Sequence, residues 1–386
     1  MRHGASLAPG PSRAREVALR RYESAIGAAV DTVPTPALLV NLDALEANIA
    51  RMAASFAELP AELRPHIKVH KCPEIARRQI EAGAVGVATA TVREAVAMAE
   101  AGIEDVLVAN QVVGAEKIAA LLDLDEAIRV TVAVDDPGNI ADLSAMAVAA
   151  GRQLEVLVEL DIGQFRCGAR DAVTALRLAE QAASSPGLRV RGMQGYEGHC
   201  MLEPDHDTRR AMASEAIAAL LAAVDVLEAA GIPCETVSGG GTGTWFITGA
   251  NPRVDEVQAG SYALMDAFHG DLVPGGFEVA MTVLATAISR HDRTVILDAG
   301  RKAVGVDHVA PRVLDGHGAE VRFVAEEHTL LDFPGTPPFA VGDRVRLVSG
   351  YGPTTANLHD AFLVVRGETV VDAWPITARG FLPRGG

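Results

Sequence analysis

VGVATATVREAVAMAEAGIEDVLVAN, residues 85–110, holds one complete unit of the rhythm that runs through this chain. A short apolar run rich in β-branched residues (85–91) leads into an Ala- and Glu-rich helical stretch (93–102), and a second apolar run follows (105–110). A strand that is apolar throughout is covered on both faces, and an amphipathic stretch between two such strands is the crossover of a parallel sheet. The unit recurs in both directions. Upstream, PALLVNL (36–42) precedes DALEANIARMAASFA, and RPHIKVH (64–70) precedes PEIARRQIEAG. Downstream, RVTVAVD (129–135), LEVLVELDIG (154–163) and LRVRGMQGYEG (188–198) are each followed by a helical stretch, and CETVSGGGTG (234–243) and DEVQAGSYAL (255–264) close the series. Eight or nine units over about 230 residues predict a (β/α)8 barrel. The alternative, a doubly wound sheet, needs a GxGxxG after its first strand, and none is present.

Beyond residue 275 the rhythm changes to strand candidates joined by short turns, among them VAMTVLATAISR, RTVILDAG, DRVRLVSG, DAFLVVRG and TVVDAWPITARG. No long helix intervenes, so this part is predicted to be an antiparallel β domain. The expected organisation is an N-terminal segment at 1–33 packing with the β domain, a barrel at 34–274 and the β domain at 275–386. Within the first segment, the Gly-, Pro- and Ser-rich residues 1–13 are expected to be mobile and 14–29 to form a short helix.

The 386 residues carry a formal net charge of −16, which argues against nucleic acid and against an anionic membrane as partners. Cys72, Cys167, Cys200 and Cys234 are scattered with no CxxC pair, so neither a disulfide framework nor a structural zinc site is expected. No apolar run reaches membrane-spanning length, and the basic N-terminus lacks the apolar core of a signal peptide. A cytoplasmic soluble protein is expected.

In a barrel of this kind the active site lies at the C-terminal ends of the strands, and that rule sorts the polar residues. RPHIKVHK (64–71) sits at one such end. Read as a strand, it puts His66, Lys68 and His70 on one face. An enclosed lysine loses charge, and its amine becomes a nucleophile able to form a Schiff base. The same run also reads as a solvated basic turn. VSGGGTGT (237–244) offers backbone N–H groups and the hydroxyls of Ser238, Thr242 and Thr244 for an anion such as phosphate, or is a flexible turn. QAGSY (258–262) adds a second glycine with a hydroxyl neighbour. In ELDIGQFRCG (159–168), Arg166 is placed to hydrogen-bond a phenolate or carboxylate, or to form a salt bridge with Asp161. In GYEGHC (195–200), Tyr196 can stack and His199 can move protons near neutral pH, although a strand-end histidine is often simply hydrogen-bonded. A lysine amine, a phosphate cradle and an arginine for a phenolate on one rim together describe a pyridoxal phosphate site.

These stretches resemble the D-threonine aldolase and D-serine dehydratase group of pyridoxal phosphate enzymes, which share the alanine-racemase type of barrel (fold type III) with an added β domain. RPHIKVHK, DIGQFRCG, QGYEGH, VSGGGTGT, AGSYALMD, LDAGRKAVGVD, EEH and NLHD carry the resemblance, which runs from about residue 35 to residue 380. It implies that Lys68 holds the cofactor with His66 beside it, that Arg166 lies near the cofactor's phenolic oxygen, and that Tyr196 lies against its ring. It also implies that Ser238, Gly240, Gly241, Thr242, Gly260, Ser261 and Tyr262 surround the phosphate, and that a homodimer shares its active sites. The implied activity is cleavage of a D-configured β-hydroxy-α-amino acid to glycine and an aldehyde. Dehydration to a keto acid and racemisation are the alternatives. Deprotonating the hydroxyl breaks Cα–Cβ, and His199 is the candidate base; Lys68 is the candidate base for the Cα proton.

The sequence departs from the group in VSGYGPTTANLHD (348–360). Members carry a His-x-Asp or His-x-Cys pair for a divalent metal before the T-x-N-x-x-D stretch. Counted back from Asn357, those positions are Tyr351 and Pro353; counted from the proline, they are Gly350 and Gly352. Neither frame gives a metal-ligand pair. The expectation is an enzyme without a bound divalent metal, in which the Tyr351 phenol stands where a metal would polarise the substrate hydroxyl. Arg301, Lys302 and His308 are further expected near the site, where they would favour a second acidic group on the substrate.

Overall fold

The structure, a computed structural model, describes residue 20, residues 22–316 and residues 318–380. The segment expected to be mobile, 1–13, lies outside the described residues, as do residues 14–19 and 21 of the helix expected over 14–29; residues 20, 22 and 23 are helical. Residues 24–28 within that range are turn and bend.

Eight parallel strands form the first sheet: β2 (Glu62–Leu63), β3 (Val87–Thr89), β4 (Asp105–Gln111), β5 (Arg129–Val134), β6 (Leu154–Glu159), β7 (Leu188–Gln194), β8 (Thr236–Gly239) and β9 (Glu256–Val257). They follow the order β2-β9-β8-β7-β6-β5-β4-β3, and the ring closes where Val85 N–H donates to the Leu63 carbonyl at 3.0 Å and Ala88 N–H to the Pro65 carbonyl at 2.9 Å. The covering helices are α1 (Leu42–Phe56), α2 (Pro73–Glu81), α3 (Val92–Glu100), α4 (Ala115–Leu122), α5 (Pro137–Ala149), α6 (Ala172–Ser184) and α7 (His206–Ala229), with short α8 (Trp245–Thr248) and α9 (Ala267–Leu272) near the last strands. Their starts are written locally. Thr91, Asp136, Asp171 and Asp205 each accept a backbone N–H from the first turn of the helix that follows, so the chain leaves the strand ends through N-caps.

The second sheet is largely antiparallel and contains β10 (Met281–His291), β11 (Thr294–Leu297), β12 (Arg312–Val313), β13 (Glu320–Val324), β14 (Thr329–Asp332), β15 (Arg344–Val348), β16 (Ala361–Arg366) and β17 (Thr369–Pro375). It also contains β1 (Ala37–Asn41), which pairs antiparallel with β10 and parallel with β16. This differs from the expectation that placed the strand at 36–42 within the barrel at 34–274. An apolar strand is equally at home in either sheet; its neighbours lie far along the chain, so local pattern does not select between them. Next to β1, Val30 N–H donates to the Glu368 carbonyl, and Val30 and Val33 bury against Leu39, Leu363 and Val370, so the described end of the N-terminal segment packs on this sheet.

Two further differences shape the site. RPHIKVH is not a continuous strand: after β2 only His66 makes a bridge, to Ala88, and Ile67–Val69 is a 3-10 turn. The stretch after Tyr351, expected to be a loop between strands, forms α10 (Gly352–Leu358), with Pro353 in its first turn where the missing N–H costs nothing. Helix α10 is clamped to the barrel. Lys71 Nζ donates to Asn357 Oδ1 at 2.9 Å and pairs with the buried Glu94 carboxylate at 3.2 Å.

Candidate active site

A cavity opens at the C-terminal rim of the barrel, between the strand ends and the β domain. His66, Lys68, Glu159, Arg166, Gln194, Tyr196, Gly240, Gly241, Thr242, Gln258, Gly260, Ser261, His269 and Tyr351 line it. The 3-10 turn puts Lys68 into this space and turns His70 away: His70 is fully buried between Gln79 and the Cys72 N–H, and burial lowers its pKa to about 4. Burial also lowers the Lys68 amine to about 8, helped by Arg166 and opposed by Glu94. His66 accepts the Lys68 N–H through Nδ1 at 3.4 Å, and burial, with Lys68 and Arg166 nearby, holds it well below the usual histidine range.

Lys68 Nζ and the Arg166 guanidinium stand 5.7 and 5.8 Å from the Tyr196 ring centroid. Arg166 is not committed to Asp161. The Asp161 carboxylate is held by Arg170 and by the N–H groups of Gly163 and Phe165, while the nearest carboxylate oxygen to Arg166 is on Glu159 at 4.0 Å. Arg166 remains half-exposed and able to meet a ligand oxygen. The Tyr196 phenol is pushed up by burial and then by Glu197, so it stays neutral.

The glycine loop after β8 is organised from beneath by a fully buried carboxylate. Glu197 accepts from Gly240 N–H at 3.1 Å, from the Thr244 hydroxyl at 2.8 Å and from the Thr248 hydroxyl at 2.5 Å. Gly240 turns with φ +79°, a left-handed conformation that suits glycine. At Gly260 a side chain is excluded outright, because a Cβ would lie 2.3 Å from the His66 carbonyl oxygen. Thr242 Oγ1 accepts the Tyr262 N–H at 3.2 Å, which leaves its own proton to donate. Of the residues the sequence assigns to a phosphate, Gly240, Gly241, Thr242, Gly260 and Ser261 border the cavity. Ser238 and Tyr262 do not: the Ser238 hydroxyl accepts from Gln258 at 2.8 Å, and the Tyr262 phenol accepts from Gln79 at 2.9 Å.

His199 also lies outside the lining. Its ring packs on Gly163, Nε2 is 3.7 Å from Cys200 Sγ, and the buried Nδ1 has no partner among the described residues. Tyr351 reaches the cavity from the β domain. Its phenol is raised by burial and by Asp266 and Asp307, its ring stacks on His269 with centroids 5.9 Å apart, and His308 meets it edge-on at 4.6 Å. Arg301 and Lys302 are elsewhere, bonded to the Val324 carbonyl and to Glu327. His359 is buried on the Ala303 carbonyl.

Sequence reading passed over three residues here: Glu197, Asp266 and His269. Asp266 caps α9 and holds the His269 ring at Nδ1, 2.8 Å away, while its other oxygen accepts the Gly352 N–H at 2.7 Å. The D-x-x-H spacing before a short helix was the available signal.

A lysine with a weakened charge, a tyrosine ring beside an arginine, and a glycine cradle with the Thr242 hydroxyl are groups that could hold a phosphorylated pyridine aldehyde. Residues 40–267 match the family model for the alanine racemase N-terminal domain, and residues 280–365 match a putative serine dehydratase domain. D-threonine aldolase from Arthrobacter sp. is 39% identical over 90% of this chain and 93% of its own. The chain belongs to the D-threonine aldolase group of the alanine-racemase-type family. A 3-hydroxy-D-aspartate aldolase from Paracoccus denitrificans (strain Pd 1222) is 38% identical over 90% of this chain and 92% of its own. The crystal structure of D-threonine aldolase from Filomicrobium marinum superposes with a TM-score of 0.89 at 40% identity, covering 92% of this chain and 98% of that one. Membership of the group accounts for the alanine-racemase-like barrel with its added antiparallel sheet. No helix among the described residues is long and apolar enough to cross a membrane.

The positions at which the resemblance implies a metal pair are another matter. At Gly350 a Cβ would lie 1.9 Å from the Val309 carbonyl oxygen, and Gly352 is held on Asp266, so neither site has room or chemistry for a ligand. No set of three His, Cys, Asp or Glu side chains converges among the described residues. In the frame counted from the proline, the residues present offer no ligand pair for a divalent metal.

Proposed function

We propose that this protein is a pyridoxal-phosphate-dependent lyase that cleaves a D-configured β-hydroxy-α-amino acid to glycine and an aldehyde. The single observation that supports this most is the Lys68 amine, lowered to about 8 and aimed at a cavity that also holds Arg166, Tyr196 and the glycine cradle. Lys68 would hold the cofactor, Tyr196 would lie against its ring, and Arg166 would meet its phenolic oxygen. Gly240, Gly241, Thr242, Gly260 and Ser261 would take the phosphate. The cofactor, when bound, draws electrons from the bonds at the substrate Cα.

The protein's own groups divide the remaining work. Lys68 carries a proton to or from Cα. Tyr351, kept as a neutral phenol, donates a hydrogen bond to the substrate's β-oxygen. Glu197 fixes the glycine loop, so the cradle needs no reorganisation when an anion arrives. The match to a serine dehydratase domain model supports a second reading, elimination of the hydroxyl to give a keto acid and ammonia. Resemblance to the family further supports a cytoplasmic homodimer. Phe165 and Leu202, 83% and 68% exposed in the loops that carry Arg166 and His199, are apolar surface for a partner subunit to cover.

Incubation with pyridoxal phosphate and D-threonine, D-phenylserine, D-serine or D-alanine separates the readings. Aldehyde plus glycine is the expected result. Keto acid plus ammonia would establish the dehydratase, and an L-isomer alone would establish a racemase.

A further inference from the structure

Resting on the retro-aldol reading, we propose that His269, oriented by Asp266, is the catalytic base that takes the proton from the substrate's β-hydroxyl. Three N–H donors converge on the Asp266 carboxylate: the His269 backbone at 2.8 Å, His269 Nδ1 at 2.8 Å and the Gly352 backbone at 2.7 Å. A carboxylate surrounded in this way only accepts, so His269 carries its proton on Nδ1, and Nε2 is left as the acceptor. Asp266 is fully buried and His269 nearly so, and the His269 ring borders the cavity that holds Lys68.

Two neighbours make the assignment specific. Tyr351 lies parallel to the His269 ring, with an interplanar angle of 18° and centroids 5.9 Å apart, in the segment where the group's metal ligands belong. Burial and the acidic residues around it disfavour its phenolate, so it is suited to donating a hydrogen bond and poorly suited to taking a proton. A donor and a base side by side replace the two things a metal does at a hydroxyl: they polarise the oxygen and lower the cost of removing its proton. Asp266 also holds both partners in register, gripping the His269 ring with one oxygen and the first residue of α10, next to Tyr351, with the other.

The step balances as follows. The Oβ–H proton passes to His269 Nε2, and the O–H pair becomes the second bond of the aldehyde C=O. The Cα–Cβ bond breaks with its pair left on Cα, where a proton from the Lys68 ammonium completes glycine.

The test uses full-length protein loaded with pyridoxal phosphate, and the same protein without it. His269→Asn and His269→Gln are expected to lower aldehyde release from D-phenylserine about a hundredfold or more. Exchange of glycine's α-proton with solvent deuterium, which involves no hydroxyl, is expected to stay unchanged, as is cofactor uptake. In the cofactor-free protein, nitrogen NMR is expected to show His269 protonated at Nδ1, a state lost in Asp266→Asn. Equal losses of cleavage and glycine exchange, an Nε2–H ring in the wild type, or the whole cleavage loss appearing in His199→Asn instead would each overturn the assignment. Wild-type protein that exchanges glycine's proton but releases no aldehyde from any D-β-hydroxy amino acid would overturn the cleavage reading itself.

Discussion

The cavity has two walls of different origin. One wall is made by neighbouring strand ends of the barrel: Lys68 and His66 after β2, Gly260 and Ser261 after β9, the glycine loop after β8, Tyr196 after β7 and Arg166 after β6. Each group there is delivered by a short contiguous motif. The opposite wall is made where the domains meet: His269 and Asp266 from α9 and Tyr351 from the β domain, joined by hydrogen bonds from Gly352 N–H to the Asp266 carboxylate and from Ala267 N–H to the Ser349 carbonyl. No contiguous motif holds both sides of that joint. The barrel wall carries the features expected for the cofactor, and the joint carries those expected to act on the substrate's hydroxyl. A fold that keeps the first wall can thus change its reaction by altering the second.

The sharpest way to break this division is Lys68→Ala. Cleavage is expected to fall about 10⁴-fold, and the visible absorbance of lysine-bound cofactor to disappear. A variant that retains that absorbance would move the lysine assignment. Tyr351→Phe tests the other wall. Removing a single donor to a developing charge is expected to lower kcat about a hundredfold, with cofactor absorbance unchanged. If absorbance and kcat fall together, the two walls are not separable.

The pH dependence of cofactor uptake sharpens the barrel wall alone. Only the neutral Lys68 amine attacks an aldehyde, and its lowered pKa is about 8. Uptake by cofactor-free protein should therefore rise about tenfold per pH unit below 8 and level off above it, well before an ordinary lysine would. A rise that continues towards pH 10 would show that the amine is not desolvated. The smallest effect concerns the clamp between the walls. Asn357→Ala removes the Lys71 contact to α10 and is expected to cost about 1 kcal/mol of stability, read as a modest drop in Tm.

How much of this was legible beforehand follows the same division. The barrel, the β domain and the lysine, arginine, tyrosine and glycine positions are written in local patterns, because strand ends and N-caps place side chains by sequence neighbours alone. Within those motifs the orientation of single side chains was not. Ser238 and Tyr262 sit in the right loops, but their hydroxyls face Gln258 and Gln79 and do not border the cavity. His70 was expected beside Lys68, and a 3-10 turn in place of a strand removed the alternation that put it there. The rim position of His199 suggests a base, yet its ring rests on Gly163 outside the cavity lining.

By itself the sequence determined the alternation of apolar strands and amphipathic helices, the change to an antiparallel domain, and the motif that brings Lys68 to the rim cavity. These depend on periodicities of two and 3.6 residues and on caps, all local properties. Only the tertiary structure decided that β1 joins the second sheet, that the segment after Tyr351 is a helix, and that Asp266 grips His269 and Gly352 together. Those outcomes depend on contacts between residues far apart in the chain, such as Leu38 against Val283 and Asp266 against Gly352, whose cost and gain are set by the whole packed molecule.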